Sequence, residues 1–320
     1  MVMANKDLQK ILSKKKGKKY DVAVMYSGGK DSSYLLHLFK EVYKLRVLAV
    51  IVDNGFENEY MWKPMMKFTE SMDIPLEIIH PGKDNFKKLM KMLVTEQEYF
   101  RREGINHVCF ICNNLLWTSV TKYALENDIP YVASGLSLAQ LSSGREYPLE
   151  PNEMANAIAG KSTKMVFKNA VTNMKKTTSY IEDVEFQKFI EAMNVASSKI
   201  TTVYPYIYHN LGVNEIKEEL VKLNWAPPRN ISIEKYISSG CMIMSKIIGE
   251  LEKLNIITLN EREQAKWMVA DGLMDKENLE FANYDPHKDV VDLSSELMDE
   301  LKIKDYLIEL CKKEKRHYKI

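Results

Sequence analysis

The chain has 320 residues, and its 45 Lys and Arg against 44 Asp and Glu give a formal net charge of +1. This balance gives no whole-chain basic signature for nucleic acid binding, although it leaves a local basic patch open. Hydrophobic residues make up 45% of the chain, enough for a substantial core, and four cysteines are too few for a disulfide scaffold. The first ten residues lack an apolar signal segment, and no run of about 18 apolar residues occurs. We therefore expect a cytoplasmic protein without a membrane span.

Short apolar runs alternate with stretches of helical period along the first half of the chain. The pattern predicts strands at 20–27, 47–55, 75–82 and 130–135, and helices at 32–43, 60–72, 85–102 and 113–127. Strands that alternate with helices of this length predict an α/β fold, with a doubly wound parallel sheet covered by helices on both faces.

The composition changes after about residue 136, where Ser, Gly, Asn and Pro predict a long loop before further helical stretches. We predict four parts: a basic leader (1–19), an α/β domain (20–145), a mobile or helical connection (146–200) and a helical C-terminal region (201–320). The leader is expected to be a solvated segment, with the steering of a polyanion as the alternative. The helical C-terminal region could supply a homodimer interface.

The most informative motif is Ser27-Gly28-Gly29-Lys30-Asp31-Ser32, which joins the first predicted strand to the first predicted helix. Amides of a glycine-rich turn at a helix N-terminus form an anion site, because they lack partners within the helix. The two serine hydroxyls can donate hydrogen bonds and Lys30 can supply a cation. Asp31 would repel a bare phosphate, so its presence suggests a bridging Mg²⁺. The spacing excludes both the Walker loop and the Rossmann fingerprint.

This motif, followed by a second strand that ends at Asp53, resembles the N-type ATP pyrophosphatases, or PP-loop superfamily. The resemblance covers about residues 20–140 and implies an adenine nucleotide alpha hydrolase-like fold that holds ATP through its β- and γ-phosphates. It implies that AMP is transferred to a substrate oxygen, that pyrophosphate leaves, and that nitrogen or sulfur then displaces the adenylate. Lys30 and Asp31 become catalytic candidates, Asp53 a neighbour of adenine and Gly135 a neighbour of ribose or the α-phosphate. The stretch after Gly135 lacks the Gly-His and paired aspartates of many tRNA-modifying members.

The cysteines form the second candidate site. Cys109 and Cys112 form a C-x-x-C pair just before the predicted helix 113–127, and Cys241 follows a flexible Ser-Ser-Gly. These residue types leave open a redox or persulfide pair, a zinc site with His107, part of an iron–sulfur site, or inert buried thiols. Cys311 is expected to be a helix residue without a chemical role.

The cysteine pattern resembles the iron–sulfur branch of the tRNA thiolation enzymes. That resemblance implies that Cys109, Cys112 and Cys241 hold a 4Fe–4S cluster with one free iron. Cys112 followed by Asn113 also resembles the catalytic-cysteine position of the cluster-free 2-thiouridylases, in which a persulfide carries the sulfur. Both resemblances make Cys112 and Cys241 the catalytic thiols.

We therefore predict an ATP-dependent adenylating enzyme that transfers sulfur from a sulfide or persulfide donor to a nucleobase, tRNA or small-molecule acceptor. An alternative is nitrogen transfer, because 22–56 also resembles the PP-loop amidotransferases of N-acetyl sugars, which need a glutaminase partner. A second alternative, favoured by the altered stretch 135–140, is a nucleotide-binding regulator without turnover.

Overall fold

The computed structural model describes residues 3–102, 108–136, 171–194, 199–209, 211–226, 241–257, 260–270, 272–278, 280, 283 and 285–320. Five strands in these ranges form one sheet in the order β3-β2-β1-β4-β5, and every neighbouring pair is parallel. The strands are β1 Val22–Met25, β2 Val47–Val52, β3 Leu76–Ile79, β4 Tyr131–Ala133 and β5 Thr201–Val203.

The helices of the described residues precede, connect and follow these strands. They are α1 Lys6–Leu12, α2 Lys30–His37, α3 Glu59–Ser71, α4 Lys83–Thr95, α5 Gln97–Arg102, α6 Val108–Glu126, α7 Thr178–Glu182, α8 Val184–Ala192, α9 Val213–Lys222, α10 Met242–Lys246, α11 Ile248–Lys253, α12 Asn260–Ala270, α13 Glu296–Glu300 and α14 Lys304–Lys313. A π-helical turn, Leu38–Val42, extends α2, and two short parallel strands, β6 Val291–Asp292 and β7 Tyr318–Lys319, pair near the end of the chain.

Apolar side chains bury both faces of the sheet. Val22 and Val24 pack with α2 and α3 on one face, while Ala23 packs with the second half of α6 on the other. Strands of β-branched residues that are buried on both faces are typical of parallel sheets. The predicted doubly wound α/β fold is therefore confirmed.

Two predicted elements differ in their bounds because of tertiary contacts. The predicted helix 85–102 is divided at Glu96, whose carboxylate accepts hydrogen bonds from the amides of Thr178 and Ser179 at the start of α7. Helix α6 begins at Val108 rather than Asn113, so the C-x-x-C pair lies inside the helix. Most of the described side chains of α6 are buried, and they pack in two hydrophobic clusters at once.

The sheet extends past the predicted domain boundary at residue 145, because β5 pairs with β4 and α9 packs on α2. The four-part division of the chain stays a prediction. Much of the predicted connection, including 146–170, lies outside the described residues, as do residues 137–140 of the altered stretch. None of the helices that are described is long and apolar enough to cross a membrane.

The predicted leader contains a packed helix rather than a fully solvated segment. Leu8 and Leu12 of α1 are buried in the same cluster as β1 and α2. The Tyr131 hydroxyl of β4 donates to the Ile11 carbonyl at 2.6 Å and accepts from the Lys15 amide at 3.1 Å. Helix α1 is therefore part of the α/β core.

This packing predicts that Leu8→Ala destabilises the protein by about 2–5 kcal/mol, since it removes a fully buried side chain and leaves a cavity. Urea unfolding followed by circular dichroism measures the change. Gln9→Ala on the exposed side of α1 is the matched control and should change stability little. Equal midpoints for the two variants would show that α1 does not contribute to the core.

Candidate active site

Four predicted loops meet at the carboxyl ends of β1, β2, β3 and β4. Because these strands are parallel and adjacent, the residues that follow them lie along one edge of the sheet, where ligands of open α/β folds bind. The loop from Ser27 to Ser32 follows β1, Asp53 follows β2, His80 follows β3 and Gly135 lies just after β4.

Two glycines allow a close approach of the backbone at this edge. Gly28 has a φ of +71°, and a Cβ there would lie 2.3 Å from Met65 Cγ. A Cβ on Gly135 would lie 3.2 Å from the Ser32 nitrogen and 3.3 Å from the Asp31 carbonyl carbon. The end of β4 therefore lies directly against the first turn of α2.

The loop from Ser27 to Ser32 is closed by its own hydroxyl groups. Ser32 Oγ accepts from the Ser27 amide at 3.2 Å and donates to the Gly29 carbonyl at 3.2 Å. Gly29 is the N-cap of α2 and provides no side-chain cap. The first amides of α2 thus keep the arrangement of a helix N-terminal anion site, supported by the helix dipole.

Lys30 and Asp31 form an ion pair at the start of α2. Lys30 Nζ lies 2.8 Å from Oδ1 and 2.7 Å from Oδ2 of Asp31, and the lysine is buried. Asp31 remains about one-third exposed. The pair neutralises the lysine, so any attraction of this loop for a phosphate group would come from its amides and from a cation held by Asp31.

Asp53 lies between a backbone amide and an imidazole. Its Oδ1 accepts from the Gly55 amide at 2.8 Å, and its Oδ2 lies 3.2 Å from His80 Nδ1. The His80 side chain is mostly exposed. The contact joins the ends of β2 and β3, and it gives the strand-end histidine a defined partner within the candidate site.

The structure brings Cys112 and Cys241 together from distant parts of the chain. Burial raises the pKa of the Cys112 thiol, and the nearby Cys241 raises that pKa further. Asn54, the residue after Asp53, donates from Nδ2 to Cys112 Sγ at 3.8 Å and accepts from the Phe56 amide at 3.0 Å. Two of the predicted thiols therefore lie near each other, beside the loop that follows β2.

Backbone contacts hold Cys241 in this position. The Met242 amide donates to the Phe56 carbonyl at 2.6 Å, and Cys241 and Glu57 form an antiparallel bridge. Residues that face each other in such a bridge place their side chains on the same side. Glu57 Oε1 is buried without a hydrogen-bond partner among the described residues, and burial followed by repulsion from Asp53 raises the pKa of Glu57 to about 8.

The predicted three-thiol site is only partly assembled. Cys109 lies one helical turn before Cys112 on α6 and packs against the same hydrophobic cluster as Cys241. Thiolates are the ligands of iron–sulfur clusters, so the donor chemistry fits. Within the described ranges, however, no three His, Cys, Asp or Glu side chains are arranged to hold a metal ion, so the three thiols as placed do not form a cluster site. His107, the candidate zinc ligand, lies outside these ranges.

Cys311 is fully buried in α14, as expected for a packing residue.

Two further residues, neither of them a sequence-based candidate, contact the loop after β1. Tyr206 donates from its hydroxyl to the Asp31 carbonyl at 2.7 Å, and Trp225 donates from Nε1 to the Gly28 carbonyl at 3.3 Å. Both follow elements that were assigned to the C-terminal region, and neither carries a local motif.

No family model matches the chain. A curated relative, the uncharacterized protein MJ1599 of Methanocaldococcus jannaschii, is 36% identical over 77 residues, which are 23% of this chain. The matched part of this chain spans only 28% of the length of that relative.

Three solved structures are similar at low identity. The U34-tRNA thiolase NcsA from Methanococcus maripaludis, solved with its 4Fe–4S cluster, is 19% identical with a TM-score of 0.37 over 84% of this chain and 76% of that one. An NH3-dependent NAD synthetase from Campylobacter jejuni is 12% identical (TM-score 0.30, 59% and 89% covered). An NMN synthetase from Francisella tularensis is 14% identical (TM-score 0.28, 72% and 100% covered). These TM-scores do not establish a shared activity.

The raised pKa of Glu57 predicts a pH-dependent cost to stability. The folded protein retains a proton on Glu57 that the unfolded chain loses above about pH 4.5, so the contribution of Glu57 to stability falls as pH rises towards about 8. Glu57→Gln removes this titration. We expect the variant to gain stability relative to the parent protein as pH rises from about 5 to about 8, by up to several kcal/mol.

Urea unfolding of both proteins at the two pH values measures this difference. Glu59→Gln, an exposed carboxylate on the same segment, is the control and should show no pH-dependent difference from the parent. A Glu57→Gln variant whose relative stability does not change with pH would contradict the burial of an unpaired carboxyl at this position.

Proposed function

We propose that this chain is an ATP-dependent adenylating enzyme that activates a carbonyl oxygen, releases pyrophosphate and then transfers sulfur to the activated carbon. The observation that carries the proposal is the coincidence of two sites at one edge of the sheet. The first amides of α2 lie at the carboxyl end of β1, and the thiols of Cys112 and Cys241 lie beside the loop after the neighbouring strand β2.

The loop after β1 has the features needed to bind a polyphosphate. Its amides are directed by the turn at Gly28, and Ser27 and Ser32 add hydroxyl groups. Asp31 is exposed enough to bind Mg²⁺ that also contacts the phosphates, which would allow the Lys30 ammonium to turn from Asp31 to the anion. Neutralisation by these groups makes pyrophosphate a good leaving group when the acceptor oxygen attacks the α-phosphorus.

The second step needs a sulfur nucleophile at the activated carbon. A hydrosulfide attacks this carbon, the carbon–oxygen bond to AMP breaks, and AMP leaves with both electrons. If the sulfur is instead the outer sulfur of a persulfide on one thiol, the other thiolate then attacks the inner sulfur, the S–S bond breaks, the thiolated product leaves, and an external dithiol reduces the Cys112–Cys241 disulfide that forms. We assign the delivery of sulfur to Cys112 and Cys241, which lie together on the loop side of the sheet. Cys109, Cys112 and Cys241 would have to move from the positions they have in this structure to hold a 4Fe–4S cluster, which would then supply an iron with an open coordination position. The loop and the edge of the sheet position the two reactants.

The role of Asp31 is tested by the Mg²⁺ dependence of ATP binding. In the parent protein we expect Mg²⁺ to increase the affinity for ATP at least tenfold, because bare ATP is repelled by Asp31. In Asp31→Asn the Mg²⁺ effect should largely disappear, while the affinity for ATP in excess chelator should not fall. Isothermal titration calorimetry with and without Mg²⁺ measures both quantities.

Asp7→Asn is a matched control, because Asp7 is also an acidic residue in the first turn of a helix and is exposed. It should bind MgATP as the parent protein does. An Asp31→Asn variant with the full Mg²⁺ dependence would remove Asp31 from the metal-binding role, and a parent protein that does not bind MgATP would refute the proposed function.

The role of the thiols is tested by anaerobic purification of cysteine variants. We expect Cys112→Ser and Cys241→Ser to lose sulfur transfer, and a brown parent protein with about four irons per chain would show that the thiols rearrange to hold a cluster. Cys311→Ser is the matched control, since Cys311 is a buried thiol remote in sequence from the site, and it should retain the sulfur transfer and any iron of the parent. An iron-free parent whose sulfur transfer still requires both thiols would favour persulfide carriage. Transfer of nitrogen, or turnover independent of both thiols, would refute the sulfur proposal.

A further inference from the structure

Two buried side chains from the second half of the chain bind carbonyl groups of the loop after β1. The Tyr206 hydroxyl donates to the Asp31 carbonyl at 2.7 Å, and Trp225 Nε1 donates to the Gly28 carbonyl at 3.3 Å. Only 6% of each residue is exposed, so water has little access to either hydrogen bond. Ser33 Oγ adds a second donor to the Gly28 carbonyl at 3.4 Å.

Peptide geometry connects these bonds to the anion site. In a trans peptide the C=O and the next N–H point in opposite directions. A donor on the Gly28 carbonyl therefore directs the Gly29 N–H away from Trp225, and a donor on the Asp31 carbonyl directs the Ser32 N–H away from Tyr206. Hydrogen bonds to these carbonyls also polarise the same peptides and strengthen their amides as donors.

The donors on the Gly28 and Asp31 carbonyl groups also keep these oxygens turned away from the ligand side of the loop. A carbonyl oxygen that turned towards the ligand would repel phosphate and leave its own partner unpaired. Met65 fills the space beside Gly28, where a Cβ would lie 2.3 Å from its Cγ, so the loop is enclosed on that side as well. The loop is therefore held by side chains behind it rather than by its own sequence alone.

We propose that Tyr206 and Trp225 are positioning residues of the phosphate site, which fix the Ser32 and Gly29 amides in the orientation that binds the β- and γ-phosphates. The proposal rests on the proposed function, since it assigns these phosphates to the loop. It adds that the residues after β5 and α9 are required for phosphate recognition, although they belong to the second half of the chain.

The test compares MgATP and inorganic pyrophosphate, which carry the phosphates assigned to the loop, with AMP, which lacks them. Tyr206→Phe and Trp225→Phe should each weaken the binding of MgATP and of inorganic pyrophosphate by roughly five- to tenfold, while the affinity for AMP stays within about twofold. A general loss of structure would weaken all three ligands together. Calorimetric titrations of each ligand give the ratio of MgATP to AMP affinity for every variant.

Tyr204→Phe is the matched control, since Tyr204 lies two residues from Tyr206 and its hydroxyl has no hydrogen-bond partner in the part of the chain that is described. It should keep the parent ratio of MgATP to AMP affinity. The inference is overturned if Tyr206→Phe and Trp225→Phe keep that ratio, or if AMP binding falls as much as MgATP binding. A parent protein that binds none of the three ligands would instead refute the proposed function.

Discussion

The candidate site depends on the close approach of three backbone segments at the carboxyl edge of the sheet. Gly28 turns the chain in the left-handed region against Met65, and Gly135 brings the end of β4 against Asp31 and Ser32. A side chain at Gly28 would be strained in its backbone and would clash with Met65, and a side chain at Gly135 would force α2 away from β4. The first amides of α2 occupy their position because these two contacts permit it.

The second half of the chain completes this edge at two places. Trp225 and Tyr206 donate to carbonyl groups of the loop from Ser27 to Ser32, and the segment at Cys241 pairs with Phe56 and Glu57 after β2. Helix α6 carries Cys112 in its first turns and packs under the sheet with its later turns. Contacts from the second half of the chain therefore reach both the loop after β1 and the segment after β2.

Sequence alone was sufficient for the strands of the sheet and for the turn between β1 and α2, because local residue patterns mark both. Runs such as 47–52 are apolar on both faces, and Gly28-Gly29 marks the turn between a strand and a helix. Contacts between distant segments were not predictable in this way. The division of a predicted helix at Glu96 follows from its bonds to α7, and Tyr206 lies in an aromatic segment that has no distinguishing pattern. Asn54 could have been identified from its place two residues after the end of β2, next to Asp53.

Two lysines of the basic leader make their contacts at the end of the sheet opposite the candidate site. Lys15 donates to Thr201 at the start of β5, and Lys18 pairs with Asp128 shortly before β4. Both contacts lie at the amino ends of the strands, opposite the edge that carries the loop from Ser27 to Ser32. At the carboxyl edge, Lys30 is already paired with Asp31. An anion bound at the start of α2 would therefore be held by short-range contacts with oriented amides rather than drawn in by a long-range positive field, since the net charge of the chain is only +1.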